Sequence, residues 1–479
     1  MIKNEESLAF ATIEDLIPLL AKRKISSVEL TELFLRRIEL RNPSLNAFIT
    51  VTAEPALAAA RRADKQIAGR RPMGREKSPL LGIPITIKDN IWTRGIRSTS
   101  GSKILSDFVP TQDSTVARKL GRAGAVLLGK TNLNEFAYGI TGDNAHFGSA
   151  HNPWALDRMT GGSSAGSGAA IAAGLCAASI GTDTGGSIRV PSAFCGTVGL
   201  KPTFGRVSVF GTMPLSPSLD HVGPMARSVA DAALLLDVIA GRDPLDPTSS
   251  PKPVEDFRGA LRKPLRKFRL GCPREHYWEK LDPEVRRIAE AAVRNMEKRG
   301  AAVREVSLPH LKESLEVATE ISLAEALHVH EAAGYFPARA ADYGEEVRVR
   351  IDSGAKVSAV RYLAGFDVRK KLLAEFGAAF EKVDAIVAPT VPVPAPPIGA
   401  ESVQIDGEQI GVRPAIVGHC RPANFTGLPA ISIPCGFTRE GLPVGLQLIG
   451  RAFDETTLLR IALSYERAND WGARHPRSN

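Results

Sequence analysis

The sequence predicts a layered α/β protein, and three observations carry that prediction. Residues 80–87 read LLGIPITI, an apolar run with β-branched residues that ends abruptly in Lys88-Asp89-Asn90. A short helix at 116–120 is followed directly by a strand at 125–128, the βα alternation of a layered fold. Further strand patterns at 385–390, 430–434 and 444–449 stand among long helical stretches. At about 150 residues per domain, a chain of 479 residues suggests two or three units. Large single-sheet α/β enzymes override that expectation, and one domain over 1–479 is expected here.

Taken in order, the chain opens with a helix over about 12–23. Ser26 and Glu29 then have capping-box spacing ahead of Leu30, Leu33, Phe34 and Ile38, which starts an amphipathic helix. An alanine-rich helix covers 53–68, and RRPMGREKSP at 70–79 is a polar connection. A strand that delivers a lysine at its C-terminal end, as 80–88 does, stands where α/β folds place ligand chemistry. Residues 130–160 hold Asn132, Asn134, Glu135, Tyr138, Asn144, His146 and Asn152 with few apolar residues, so a long functional loop is expected. Residues 161–196 are dense in glycine, serine and alanine, interleaved with Ile171, Leu175, Ile180 and Ile188, which marks packed structure with close backbone approaches. A helix follows at 228–240, closed by Gly241. Asp282-Pro283-Glu284 caps another, which Gly300 ends. The portion 243–380 reads as a mostly helical excursion, and a last helix covers about 455–470.

Composition narrows the function. The hydrophobic fraction is 43% and the charged fraction 24%, as in ordinary globular proteins. The net charge of +9 is interspersed along helical faces, and the one basic cluster, 258–269, lacks interleaved aromatics beyond Phe268, so no nucleic-acid partner is expected. Cys176, Cys195, Cys272, Cys420 and Cys435 show no CxxC spacing and read as free core thiols of a reducing compartment. No signal or membrane-spanning pattern is seen, so a cytoplasmic protein without a membrane partner is expected. Histidine spacing suggests no metal site. His328 and His330 point opposite ways on a continuous helix.

Three chemistries compete for the serines. Gly162-Ser163-Ser164-Ala165-Gly166 fits the G-x-S-x-G elbow with Ser164 as nucleophile, but the preceding HNPWALDRMTG is loop-like rather than a buried strand. Gly161 and Gly166 have phosphate-loop spacing, yet Ser167 stands where that loop needs lysine. The third pairs Ser163 and Ser187 with Lys88. A serine hydroxyl is a poor nucleophile until a base takes its proton, and lysine serves only where burial lowers its pKa.

That third arrangement resembles the amidase signature family along nearly the whole chain. The motifs agree in order: TIKDN at 86–90, GKTNLNEFA at 129–137, GGSSAGSGAA at 161–170, GTDTGGSIRVPSAFCGTVGLKPT at 181–203 and LPAISIPCG at 428–436. The resemblance implies a large mixed β-sheet flanked by helices on both faces. It implies Ser187 as nucleophile, Ser163 as a bridge through a cis peptide, and Lys88 as base. The oxyanion hole would be the backbone N–H groups across Thr184, Gly185, Gly186 and Ser187, with the two glycines kept bare for the substrate. Asp183 and Arg189 are expected to hold that loop in shape. No cofactor is implied.

Within the family a stand-alone amidase is expected, acting on a small-molecule amide, anilide or carbamate as a monomer or homodimer. The alternative is the glutaminase component of the glutamine-dependent tRNA amidotransferase. Against it stand ISLAEALHVHEAAGYFPARAADYG at 321–344 and RPANFT at 421–426, where that component carries other residues. A non-catalytic binding protein is a remote third reading. Tyr138, Gly139 and Ile140 are the substrate-binding candidates, and Leu327, Tyr335, Phe336, Tyr362, Leu363 and Phe366 are apolar and aromatic surface that suits the core at least as well as a pocket.

Overall fold

The structure, a computed structural model, describes residues 5–69, 78–263, 265, 267–469 and 471–476. Most of the polar connection at 70–79 and the end of the chain lie outside the described residues. In chain order the strands are β1 (Phe48–Val51), β2 (Pro84–Lys88), β3 (Val126–Thr131), β4 (His151–Asn152), β5 (Ala155–Met159), β6 (Ala178–Asp183), β7 (Val198–Lys201) and β8 (His221–Ala226). They continue with β9 (Phe268–Pro273), β10 (Ala301–Val306), β11 (Ala385–Pro389), β12 (Ser402–Ile405), β13 (Glu408–Gly411), β14 (Ala430–Phe437) and β15 (Pro443–Ile449).

Among the described residues, eleven of these strands form one sheet in the order β1-β3-β2-β6-β8-β7-β14-β15-β11-β9-β10. The sheet is mixed: β3, β2 and β6 run parallel, as do β11, β9 and β10, while β8, β7, β14 and β15 pair antiparallel. Every residue of β2, β6, β8 and β15 is buried. Helices cover both faces, which is why these strands are apolar without a clean alternation. Because β2 and β6 are parallel neighbours, Lys88 at the end of one and Asp183 at the end of the other open on the same edge of the sheet.

The predicted caps are present. Ser26 and Glu29 form a reciprocal capping box on the helix Ser27–Leu45, and Asp282 caps Pro283–Lys298 with the proline in its first turn. The helix Ala165–Ala172 is buried on every side, as its small residues require. A Cβ on Gly166 would stand 2.1 Å from the Ala47 carbonyl oxygen. The portion 243–380 is helical over most of its length, but it also supplies β9 and β10 at the sheet edge, where the sequence pattern suggests no strand. FRLGCP and AAVREV carry too few β-branched residues to announce themselves. No helix among the described residues is long and apolar enough to cross a membrane.

Candidate active site

Lys88 is fully buried at the end of β2. Its ammonium donates to Ser163 Oγ at 2.7 Å and to Thr182 Oγ1 at 2.7 Å, and Asn90 Nδ2 reaches the same threonine at 3.2 Å. Burial lowers the Lys88 pKa to about 7, against the opposing pull of Asp183 and Asp220. Neither acid touches it, and the groups around Nζ are hydroxyls. The Gly162–Ser163 peptide is cis. No hydrogen bond joins the Ser163 and Ser187 hydroxyls; the two segments are tied by the backbone, Ser164 N donating to Ser187 O at 3.1 Å. Hydrogen bonds of this kind are often long before a substrate is bound.

Ser164, the elbow serine, is held elsewhere. Its hydroxyl donates to Thr182 O at 3.1 Å and accepts from Thr182 N at 3.3 Å, so it is stitched into the backbone of β6.

The loop after β6 is organised by one carboxylate. Asp183 Oδ1 accepts from Gly186 N at 2.7 Å and Oδ2 from Ile188 N at 3.1 Å, while Arg189 donates to both oxygens at 3.1 and 3.0 Å. Burial alone would raise the Asp183 pKa, but Arg189 beside it holds the carboxyl well below the usual carboxylate range. The pair shapes the loop, as its placement in the sequence suggests. Two details differ from expectation. The Gly186 N–H is consumed by Asp183 and cannot face an oxyanion, whereas those of Thr184, Gly185 and Ser187 have no turn or side-chain partner. Gly186 is also bare for a different reason: at φ +126 its Cβ would stand 2.6 Å from Cys420 Cβ, so packing excludes it, and only Gly185 faces the cleft. Thr184 is fixed by its hydroxyl, which donates to Asp220 Oδ1 at 2.5 Å. Burial lifts Asp220 to about 6.

Tyr138, Gly139 and Ile140 do line the cleft that contains Ser187, Thr184 and Gly185. Ser322, Arg350, Arg413, Val417 and Arg421 also line it, and none of them is a binding candidate from the sequence. The apolar and aromatic side chains that suited either a pocket or the core do not line this cleft. Leu327, Tyr335 and Phe336 pack with Phe136, Tyr138 and Tyr343; Tyr362 and Phe366 pack on the core behind β11; Leu363 is exposed. Leu327 is carried on the helix Leu311–Ala332 and Tyr362 and Phe366 on Ala359–Lys382, while Tyr335 and Phe336 stand on the turn that follows the first of these. Thr182, Asn90 and Asp220 also escape the sequence pattern. The TDT of GTDTGGS and the DN after Lys88 were the available signals for the first two.

With this geometry in hand, the chain can be set beside known proteins. Its sequence matches the Amidase family over residues 29–459. In Roseiflexus sp. (strain RS-1), the A component of the Glutamyl-tRNA(Gln) amidotransferase is 45% identical over 97% of this chain and 98% of its own length. Among solved structures, a chain of a vestigial protein complex tied to the evolutionary origins of an s-triazine catabolic enzyme superposes with a TM-score of 0.90. It is 33% identical and covers 98% of this chain and 100% of its own. The peptide amidase PAM, solved with the competitive inhibitor chymostatin, gives a TM-score of 0.84 at 34% identity, over 98% of this chain and 99% of its own. One of these relatives is a component of an amidotransferase and another comes from a complex. Neither supports the expectation of a stand-alone enzyme acting as a monomer or homodimer.

Proposed function

This chain belongs to the amidase family and is a hydrolase acting on C–N bonds, and from that premise we propose that it works through an acyl-enzyme on Ser187. The carrying observation is Lys88: buried, among hydroxyls, 2.7 Å from Ser163 Oγ and with its pKa brought down to about 7. A neutral Nζ takes the Ser163 proton while Ser163 Oγ takes that of Ser187. Ser187 Oγ then bonds to the amide carbonyl carbon. The N–H groups of Thr184, Gly185 and Ser187 offer donors for the oxygen that becomes negative. The C–N bond breaks as the relay returns its proton to the departing nitrogen. Water attacks the Ser187 ester by the same path, releasing the carboxylic acid and restoring the serine. Thr182 and Asn90 keep Nζ in place.

The relatives' names support a role as the component that frees ammonia from glutamine within a tRNA amidotransferase. A second reading, an amidase acting on another small amide, is favoured by the arginine-lined wall of the cleft. Assay of glutamine hydrolysis with and without partner subunits and tRNA, beside a panel of simple amides, separates the two. In either role Ser187→Ala lowers kcat/KM by roughly a million-fold. Undiminished turnover in that variant would remove Ser187 as the nucleophile.

A further inference from the structure

Arg350, from the helix Glu345–Ser353, and Arg413 and Arg421, from the helix Val412–Phe425, converge on the cleft that holds Ser187. Among the described residues, no acidic side chain lines it. Arg350 lies over the Tyr138 ring, 3.6 Å from its centre, and Arg413 stands 5.7 Å from the same ring. Arg421 comes up to the loop beside Ser187: its Nε and Nη2 would be 3.4 and 3.6 Å from a Cβ on Gly185.

The donors of this cluster are left over. Arg350 Nη2, Arg421 Nε and the Tyr138 hydroxyl are buried without a hydrogen-bond partner. Arg350 Nη1 and Arg421 Nη1 are spent on Tyr138 O and Thr319 Oγ1. The nearby acids are committed elsewhere or face solvent. Glu325 takes Ser216, Ser218 and Tyr362, and Glu316 pairs with Arg361. Glu346 reaches Arg350 at 3.2 Å but is 64% exposed. Burial and then mutual repulsion push Arg413 well below its ordinary pKa and Arg421 to about 10. Three like charges held together with free donors and no buried counter-charge are costly unless an anion completes the site.

We propose that Arg350, Arg413 and Arg421 receive a carboxylate of the substrate, so that this chain prefers small amides that carry negative charge and no ammonium group. A guanidinium fork matches a carboxylate in plane and spacing. The Tyr138 hydroxyl adds a neutral donor. An α-amino acid amide would bring its ammonium into the same positive field, with no carboxylate on the described cleft wall to receive it. The inference rests on the hydrolase reading of Ser187 and on the second reading of the substrate, a small amide other than glutamine.

The test compares kcat/KM for glutaramate, for pentanamide, which has a methyl in place of the carboxylate, and for glutamine, which adds the ammonium. Glutaramate is expected to exceed both by about 100-fold. Arg413→Gln and Arg421→Gln each narrow the glutaramate to pentanamide ratio by about tenfold or more, and a ratio within one variant is unaffected by loss of folded protein. Separately, glutarate is expected to raise the melting temperature of the wild type but not of the Arg413→Gln/Arg421→Gln variant, with inorganic phosphate as the comparison anion. Equal turnover of pentanamide and glutaramate, stabilisation by phosphate alone, or the same glutarate shift in the double variant overturns the carboxylate site. Glutamine turned over faster than glutaramate overturns the exclusion of ammonium. Failure of the hydrolase reading looks different: no amide is turned over and a fluorophosphonate does not label Ser187, while the glutarate shift still reports on the arginines.

Discussion

Guanidinium groups flank Ser187 on two sides, and their surroundings are opposite. Behind the nucleophile loop, Arg189 is fully buried, and its nitrogens go to both oxygens of Asp183, to Cys420 O at 2.9 Å, to Gln447 Oε1 at 2.5 Å and to Asn424 Oδ1 at 2.6 Å. Across the cleft, Arg350, Arg413 and Arg421 share one space, and two of them keep a buried nitrogen with no partner. Arg189 finds its counter-charge six residues away in its own loop, so folding completes it. The three cleft arginines arrive on two helices with only the solvent-facing Glu346 beside Arg350, so folding leaves them short of a buried negative charge. The difference shows what each region is for: the first fixes backbone N–H groups, and the second is shaped around something that is not part of the chain.

The largest effect should come from breaking the first region. Asp183→Ala leaves the Arg189 cation buried and unpaired and frees the Gly186 N–H, and a loss of about 3–5 kcal/mol in unfolding free energy is expected. Arg413→Met should act in the opposite direction, gaining about 1 kcal/mol, because it relieves repulsion without orphaning a partner. Urea unfolding of both variants measures the contrast directly. Equal destabilisation by the two would show that the cleft arginines are as much a part of the fold as Arg189.

Acid exposes the other requirement of the site, a lysine without its proton. The Lys88 pKa is lowered, to about 7, so the neutral base is present above that pH and is lost as pH falls through it. The kcat/KM for a neutral amide should therefore fall about tenfold per unit below pH 7, roughly 100-fold by pH 5, and level off above about pH 8. A profile flat from pH 5 to 8 would remove Lys88 as the base. A neutral amide is the right probe, since it does not couple this titration to the arginines.

How far the sequence revealed each region follows the same division. The strand ending in Lys88, the glycine pairs before Ser163 and Ser187, and the Asp183–Arg189 pair are local patterns. Each is contained in a few consecutive residues whose backbone demands specify them. The cleft arginines are not local. Arg350 reads as one more charge on an exposed helix, and Arg413 and Arg421 flank a proline-containing segment. Only the packing of Leu311–Ala332 and its neighbours against the sheet brings the three together. The unannounced strands β9 and β10 escape for a related reason, since parallel pairing with β11 and with each other rather than propensity makes them strands. Bulky aromatics are ambiguous by type: Tyr335, Phe336 and Tyr362 suit a pocket or a core, and the fold spends them on packing.

The smallest expected effect concerns Ser164, one residue from Ser163 and part of the same buried turn. If the loop behind the nucleophile is scaffold, a hydroxyl bonded only to Thr182 N and O belongs to that scaffold. Ser164→Ala then removes those bonds and costs about 1 kcal/mol in stability, while Ser187 keeps its relay through Ser163 and Lys88. Activity should stay within about tenfold of wild type, since the change works only through the position of β6. A loss comparable with that of Ser187→Ala, in protein with an unchanged melting temperature, would return the nucleophile to the elbow motif. A serine bonded at 3.1 and 3.3 Å to the backbone of a central strand has no free hydroxyl to offer, and its Oγ would have to leave both bonds before it could attack.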